Sequence, residues 1–218
     1  MFESVDVIGR GRVGSAVAAR LDERGVELRE GAELVLLCVP DSAIAEVARR
    51  IPPGPWVAHV SGATRLAALA PHTRRFGLHP LQTFTRARGA EQLDGAWAAV
   101  SGETCEARGH GGALARTLGL RPFDLDDASR PAYHAGAAIA SNYLVTLHRA
   151  ATSLFEAAGA PPAALVPLMT RTIENGFELT GPISRGDRET VEAHLRAIQE
   201  RAPELEPMYR ALVEATKA

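Results

Sequence analysis

The sequence predicts an α/β protein, with a shortened, doubly wound parallel sheet over residues 1–127 and an all-α domain over residues 128–218. Three observations carry this. A strand-like run, Val5–Ile8, feeds directly into Gly9-Arg10-Gly11-Arg12-Val13-Gly14 and then into a stretch of helical composition, Ser15–Leu21. Short runs rich in Val, Leu and Ile alternate with helix-like segments as far as about Leu118. Beyond about Ala128 no strand-like run returns, and Ala, Leu, Glu and Arg dominate.

The elements follow in order. Glu33–Val39 is too continuously apolar for a half-exposed strand and reads as central in a parallel sheet. Pro40-Asp41-Ser42 then offers a turn and an N-cap for a helix over Ala43–Arg50, which Pro52-Pro53-Gly54-Pro55 ends. Trp56–Val60 is a third strand, running into Ser61-Gly62-Ala63-Thr64 and a helix to about Ala70. Phe76–Leu78 is a short strand ending at His79-Pro80, and Ala96–Val100 is another. The glycine-rich segment Gly109-His110-Gly111-Gly112 reads as a turn before a helix over Ala113–Leu118. In the second half, helices are expected over Tyr133–Ala158, Ala163–Leu179, Arg188–Arg201 and Glu204–Lys217, with Asp187 as an N-cap.

Composition removes several function classes. The chain has 218 residues, 46% hydrophobic, enough for one large or two modest cores. Its 24 Lys and Arg are balanced by 26 Asp and Glu, a net charge of −2, which argues against nucleic acid as a partner. No apolar run approaches membrane-spanning length, so no membrane partner is expected. Met1–Asp6 holds two acids and no leader pattern, and two cysteines are too few for a disulfide framework; the expected location is the cytoplasm. The seven histidines show no spacing with Cys or acids that would make a metal site.

Placed between strand and helix, the GxGxxG turn is a phosphate-binding candidate. Gly9 permits the tight turn, Gly11 lets a pyrophosphate approach the backbone, and Gly14 lets helix and strand pack closely. Arg12 and Val13 at the helix start, with Val39 and Pro40 at the next strand end, complete the expected cofactor contacts. Only 19 positions separate Gly14 from Glu33, too few for the usual strand-helix-strand interval, so one strand-helix unit is expected to be missing. Glu27 or Glu30 stands in for the ribose acid if Val26–Arg29 is a stub strand; a surface connection is the alternative.

Three polar clusters fall at carboxyl ends of strands, where α/β sheets bind ligands: Pro40-Asp41-Ser42, Ser61–Thr64 and His79–Gln82. His79 is the first candidate for proton exchange near neutral pH, or else a turn histidine. Ser61 is a candidate substrate contact, or else an N-cap. His134, Ala138, Ser141 and Asn142 are spaced to share one helix face, which makes His134 and Asn142 candidates for a cleft wall or for a polar interhelical face.

The order GRGRVG, LVLLCVPDSAI, HVSGAT, GLHPLQTF, YHAGAAIASNYLV and LTGPISRGD resembles a bacterial family of largely unassigned function, over nearly the whole chain. In it a Rossmann-like domain precedes a helical one. That family sits with the 6-phosphogluconate dehydrogenase-like group, which includes β-hydroxyacid dehydrogenases, ketopantoate reductases, pyrroline-5-carboxylate reductases and prephenate dehydrogenases. The resemblance implies NADP or NAD as cofactor and a homodimer formed through the helical domain. Gly77–Leu81 is similar to the prephenate dehydrogenase stretch whose histidine assists hydride transfer, and Ser61 falls where that group often has a substrate-contacting serine. In β-hydroxyacid dehydrogenases a catalytic lysine precedes an asparagine by four residues. Here Asn142 matches but the lysine position is Ala138, which leaves the proton to His79 or His134.

The expected function is therefore an NAD(P)-dependent oxidoreductase of a small polar carbonyl, imine or hydroxy acid. A non-catalytic dinucleotide- or ligand-binding protein is the alternative, and a structural dimer with an empty cleft the third reading.

Overall fold

The structure, a computed structural model, describes residues 2–217. By contacts the chain divides into two compact units, Met1–Ala138 and Ile139–Ala218. This division falls after the composition change near Asp127, because Arg130, in the helix that follows, is fully buried and bonded within the first unit.

The first unit is built on a seven-stranded sheet: β1 (Ser4–Ile8), β2 (Glu27–Leu28), β3 (Leu34–Leu37), β4 (Trp56–His59), β5 (Arg75–Leu81), β6 (Trp97–Ser101) and β7 (Arg121–Asp124), in the order β2-β1-β3-β4-β5-β6-β7. Pairing is parallel except between β5 and β6, where His79 lies opposite Ala99. Three helices belong to this sheet, α1 (Arg12–Glu23), α2 (Asp41–Arg50) and α3 (Cys105–Thr117). The period of two splits β3 between two cores. Leu34 and Leu36 join Val17 and Leu21 of α1 and Leu114 of α3 on one face, whereas Val35 and Leu37 join Ile44 and Ala48 of α2 on the other. All four residues of β3 are buried, which is why it carries no polar alternation.

The expected deletion is present. Between Gly14 and Glu33 the chain finishes α1 and makes only the two-residue β2, which pairs Ser4 with Glu27 and Val5 with Leu28 before returning to β3. A helix is expected up to Ala70, but a single 3₁₀ turn, Leu66–Leu69, takes its place. β5 runs through His79-Pro80 to Leu81, so the expected strand end lies inside a strand. β7 has no apolar run to announce it, being an edge strand of Arg, Pro, Phe and Asp.

The largest departure is at Gly109–Gly112, which is helix rather than turn. Gly111 faces the sheet, where a Cβ would come within 2.6 Å of Val100 and 3.2 Å of Phe76, so a glycine in mid-helix serves close packing. Nothing lies within 4 Å of the Cβ position at Gly109.

A fourth helix, α4 (Arg130–Ala138), completes the first unit. The second unit opens with a π-helical stretch, Ile139–Tyr143, followed by α5 (Leu144–Ala157), α6 (Leu165–Glu174), α7 (Arg188–Arg201) and α8 (Glu206–Lys217). The regular helix expected from Tyr133 to Ala158 is thus interrupted, and counting faces at 3.6 residues per turn fails across residues 139–143. α6 ends five residues before Leu179, where Gly176 and Phe177 take left-handed backbone angles. Asp187 caps α7 by accepting from the Thr190 amide, as expected. Among the described residues no helix is long and apolar enough to cross a membrane.

The two helix glycines give opposite expectations. Gly109→Ala should stabilise by about 0.5–1 kcal/mol through the ordinary helix preference for alanine. Gly111→Ala should instead destabilise, by about 1–3 kcal/mol, because its methyl group overpacks Val100. Urea denaturation of the two variants checks the difference in sign.

Candidate functional site

The three glycines of the turn do different work. Gly9 has φ +101°, and a Cβ there would lie 2.5 Å from the Cys38 carbonyl oxygen. At Gly14 a Cβ would strike the Gly9 carbonyl oxygen. Both glycines are required by the fold itself. Gly11 is not, because it has an ordinary φ of −72° and nothing within 4 Å of its Cβ position. Gly11 is also the N-cap of α1 and has no side chain to cap it, so the first amides of the helix keep the donors that α3 satisfies with Thr104.

Beside this helix start lies a cavity of about 290 Å³, lined by Arg10, Arg12, Ser15, Arg86 and Arg88 among others. Four exposed cations thus converge there in a chain of net charge −2. Val13 packs against the first core, the Val39 side chain borders Gly9, and Pro40 precedes α2 as its N-cap. Burial pushes the neighbouring Cys38 thiol up to about 12, which keeps it inert. Glu27, in the stub strand, accepts from Arg29 at 2.9 Å.

A second constellation gathers at the carboxyl ends of β4 and β5. His59 and His79 project from the sheet face opposite Phe76 and Leu78, and Gly77, paired with His59, leaves that face open beside them. Gly62, just past β4, is a floor: a Cβ there would lie 2.6 Å from the His134 ring and 2.9 Å from His79 Cε1 and Nε2. The two imidazoles stand edge to face over it, centroids 6.0 Å apart. His79 Nδ1 is 2.8 Å from the Tyr133 hydroxyl. Underneath, the fully buried Arg130 donates from Nη1 to the Ser61 carbonyl at 2.7 Å and lies against Gly77, where its guanidinium occupies the space of a Cβ. Its Nε faces Asp127 at 3.4 Å, an ion pair without hydrogen-bond geometry.

The structure therefore brings three expected residues, Ser61, His79 and His134, into one neighbourhood. Ser61 is spent on the turn itself: Oγ donates to Asp41 at 2.7 Å and accepts from the Ala63 and Thr64 amides, which uses its full capacity. Asn142 belongs to the second unit, where its side-chain oxygen accepts from Ser141.

Titration of the His79 ring near pH 7 is not what its surroundings support. Burial, with lesser contributions from His134 and Arg130, lowers its pKa to about 4, so the ring is neutral at physiological pH. His59, fully buried, is lowered to about 3 by burial and by Arg130. What remains is a neutral imidazole bonded to a phenol above a buried cation, an arrangement able to donate a hydrogen bond to a developing negative charge. Residue type and spacing at Tyr133 and Arg130 do not by themselves point to the site. The available signal was glycine at positions 62 and 77, since a glycine inside or at the end of a buried strand marks close approach of another group.

A family model described as a domain of unknown function (DUF2520) matches residues 96–216, and a Rossmann-like domain model matches residues 24–84. Among solved structures, a proposed NADP oxidoreductase of Bacteroides fragilis is 22% identical with a TM-score of 0.82, covering 98% of this chain and 97% of its own. A reductive aminase of Aspergillus terreus, in complex with NADPH and ethyl levulinate, is 19% identical with a TM-score of 0.68, at 97% and 92% coverage. A semialdehyde dehydrogenase NAD-binding protein of Cupriavidus necator, in complex with calcium and NAD, is 18% identical with a TM-score of 0.60, at 97% and 99% coverage. A comparison with curated proteins returns no match.

The two depressed histidines make stability pH-dependent. Each is neutral in the folded state below its unfolded pKa of about 6.5, so the unfolded chain binds more protons there. Stability should be full above pH 6.5 and fall as pH drops, through about 4 for His79 and about 3 for His59. Urea midpoints between pH 7.5 and 4.5 should show this fall, and His79→Gln should show a shallower one; identical slopes would exclude His79 as a contributor.

Proposed function

The chain belongs to the DUF2520 family, and from the geometry of its glycine turn and histidine floor we propose that it is an NAD(P)-dependent oxidoreductase of a small polar carbonyl, imine or hydroxy acid. The observation that carries this is Gly11. Its fold does not need a glycine there, whereas a diphosphate approaching the uncapped start of α1 does. The residues fit such a group. Backbone amides at Arg12 and Val13, with Gly9 and Gly14 shaping the turn, would hold it, the arginines around the adjoining cavity would balance its charge, and Val39 and Pro40 would flank it. Bound there, a nicotinamide dinucleotide would supply or accept hydride.

The remaining chemistry falls to the chain. His79 offers its Nε2 edge over Gly62 beside His134, within a site whose charges are fixed before substrate arrives. Asn142 enters this reading through the resemblance alone. A cytoplasmic setting is part of the same reading. One feature favours a dinucleotide-binding protein without turnover: Ala138 occupies the position of the superfamily lysine.

NADP(H) or NAD(H) at about 100 times its Kd should stabilise the protein by roughly 2.7 kcal/mol in a thermal-shift series. Gly11→Val should abolish that shift while leaving the ligand-free melting temperature almost unchanged. In a turnover assay His79→Asn should lower kcat by on the order of a hundredfold with dinucleotide affinity retained. An unaltered ligand shift in Gly11→Val would remove the main support for the site.

We also propose a homodimer through the helical unit. Ile139, Tyr143, Val145, Val166, Leu168 and Phe177 are each at least half exposed, more apolar surface than a small helical unit ordinarily leaves in water. Light scattering at micromolar concentration should report twice the monomer mass of 23.2 kDa, and a monomer would refute this.

A further inference from the structure

The contact between Tyr133 and His79 narrows the substrate class, on the premise of the oxidoreductase reading. Oη and Nδ1 are 2.8 Å apart, and either could be the donor. The phenol decides between them. It is half-buried, its pKa pushed up to about 12, so it holds its proton at neutral pH; among the described residues, Nδ1 is the acceptor that the structure places within its reach. If Nδ1 carried the hydrogen instead, the phenolic proton would have no partner among the described residues. We infer that Tyr133 is a positioning residue that donates to Nδ1, holds neutral His79 in its Nε2–H tautomer, and thereby fits the site to a carbonyl oxygen rather than to an iminium nitrogen.

Two arrangements on the same floor support this choice. Nε2 lies over Gly62, 2.9 Å from the position a Cβ would take, and has no protein partner among the described residues. An N–H presented there meets an acceptor favourably and meets the N–H of an iminium as donor against donor. Arg130 Nη1 is 2.7 Å from the Ser61 carbonyl and 3.4 Å from that of Gly62, so its positive charge sits against the peptides on both sides of Gly62. That charge stabilises an oxygen becoming negative and repels a cationic nitrogen.

The step balances without a titrating histidine. As hydride reaches the carbonyl carbon from a reduced nicotinamide, the C=O π pair moves to oxygen. Oxygen takes the Nε2 proton, Nδ1 takes the phenolic proton, and Tyr133 is left as phenolate until water returns its proton. An alkoxide is a far stronger base than a phenolate, so the transfer runs downhill. His79 begins and ends neutral, with its hydrogen moved from one nitrogen to the other, and the tautomer resets when Tyr133 is reprotonated. The reverse sequence serves oxidation of a hydroxy acid.

The test is nitrogen NMR of the histidine side chains in the full-length protein without any dinucleotide, with His79 assigned by comparison with His79→Gln. At pH 7 the wild type should show the Nε2–H pattern with Nδ1 as acceptor; an Nδ1–H pattern overturns the proposal, and this readout needs no other variant to fold. Tyr133→Phe should release the fixed tautomer and lower kcat by on the order of a hundredfold with KM nearly unchanged; a tautomer unmoved by that substitution also overturns it. With a reduced dinucleotide, small ketones and aldehydes should be turned over and protonated cyclic imines not. Turnover of imines alone, or of neither class, overturns the carbonyl assignment. Because the NMR readout is independent of the Gly11→Val ligand shift, failure of the tautomer and failure of dinucleotide binding are distinguishable.

Discussion

The buried guanidinium of Arg130 is the piece on which the site depends. A cation with no exposed surface is costly unless its environment is arranged around it, and here the arrangement extends into three elements. The end of β4 turns its Ser61 carbonyl inward to accept from Nη1, β5 gives up a side chain at Gly77 to admit the planar group, and Asp127 lies along Nε while also accepting from the Leu66 amide. Lysine would not replace it, having neither the plane that lies against Gly77 nor donors at these angles. Burial keeps His59 and His79 neutral and the same charge adds to that effect, so one side chain shapes the floor and also contributes to the protonation of what stands on it.

Glycine has three separable uses in this chain. Gly9 serves backbone angle; Gly14, Gly62, Gly77 and Gly111 admit a neighbouring carbonyl, imidazole, guanidinium or valine; Gly11 serves neither purpose within the fold. That separation agrees with the distinct roles the motif gives its three glycines, two serving the fold and one the approach of a ligand.

Much of the architecture was legible from residue order. Apolar runs such as Leu34–Leu37 announce buried parallel strands, and the short interval between Gly14 and Glu33 announces the missing unit. What was not legible depends on tertiary contact. Gly109–Gly112 has turn composition but lies within a helix, where Gly111 packs close to Val100 and Phe76. β7 has no apolar run because it is an edge, and the π stretch at 139–143 leaves no period to read. At the site, an expected strand end pointed to Ser61 and His79, although β5 continues past His79, and residue type could not say that burial would hold His79 neutral or that Ser61 would be consumed by its own turn. Arg130 was hidden for the opposite reason: an arginine in a polar stretch reads as surface.

The abbreviated sheet has a consequence for how copies of the chain can meet. An open edge joins another edge only if it offers a row of free amides and carbonyls. β2 is two residues long, with Glu27 and Arg29 paired beside it, and β7 carries Pro122, which has no amide hydrogen to offer. Both margins are therefore blunt, and edge-to-edge polymerisation of the sheet is disfavoured from the outset.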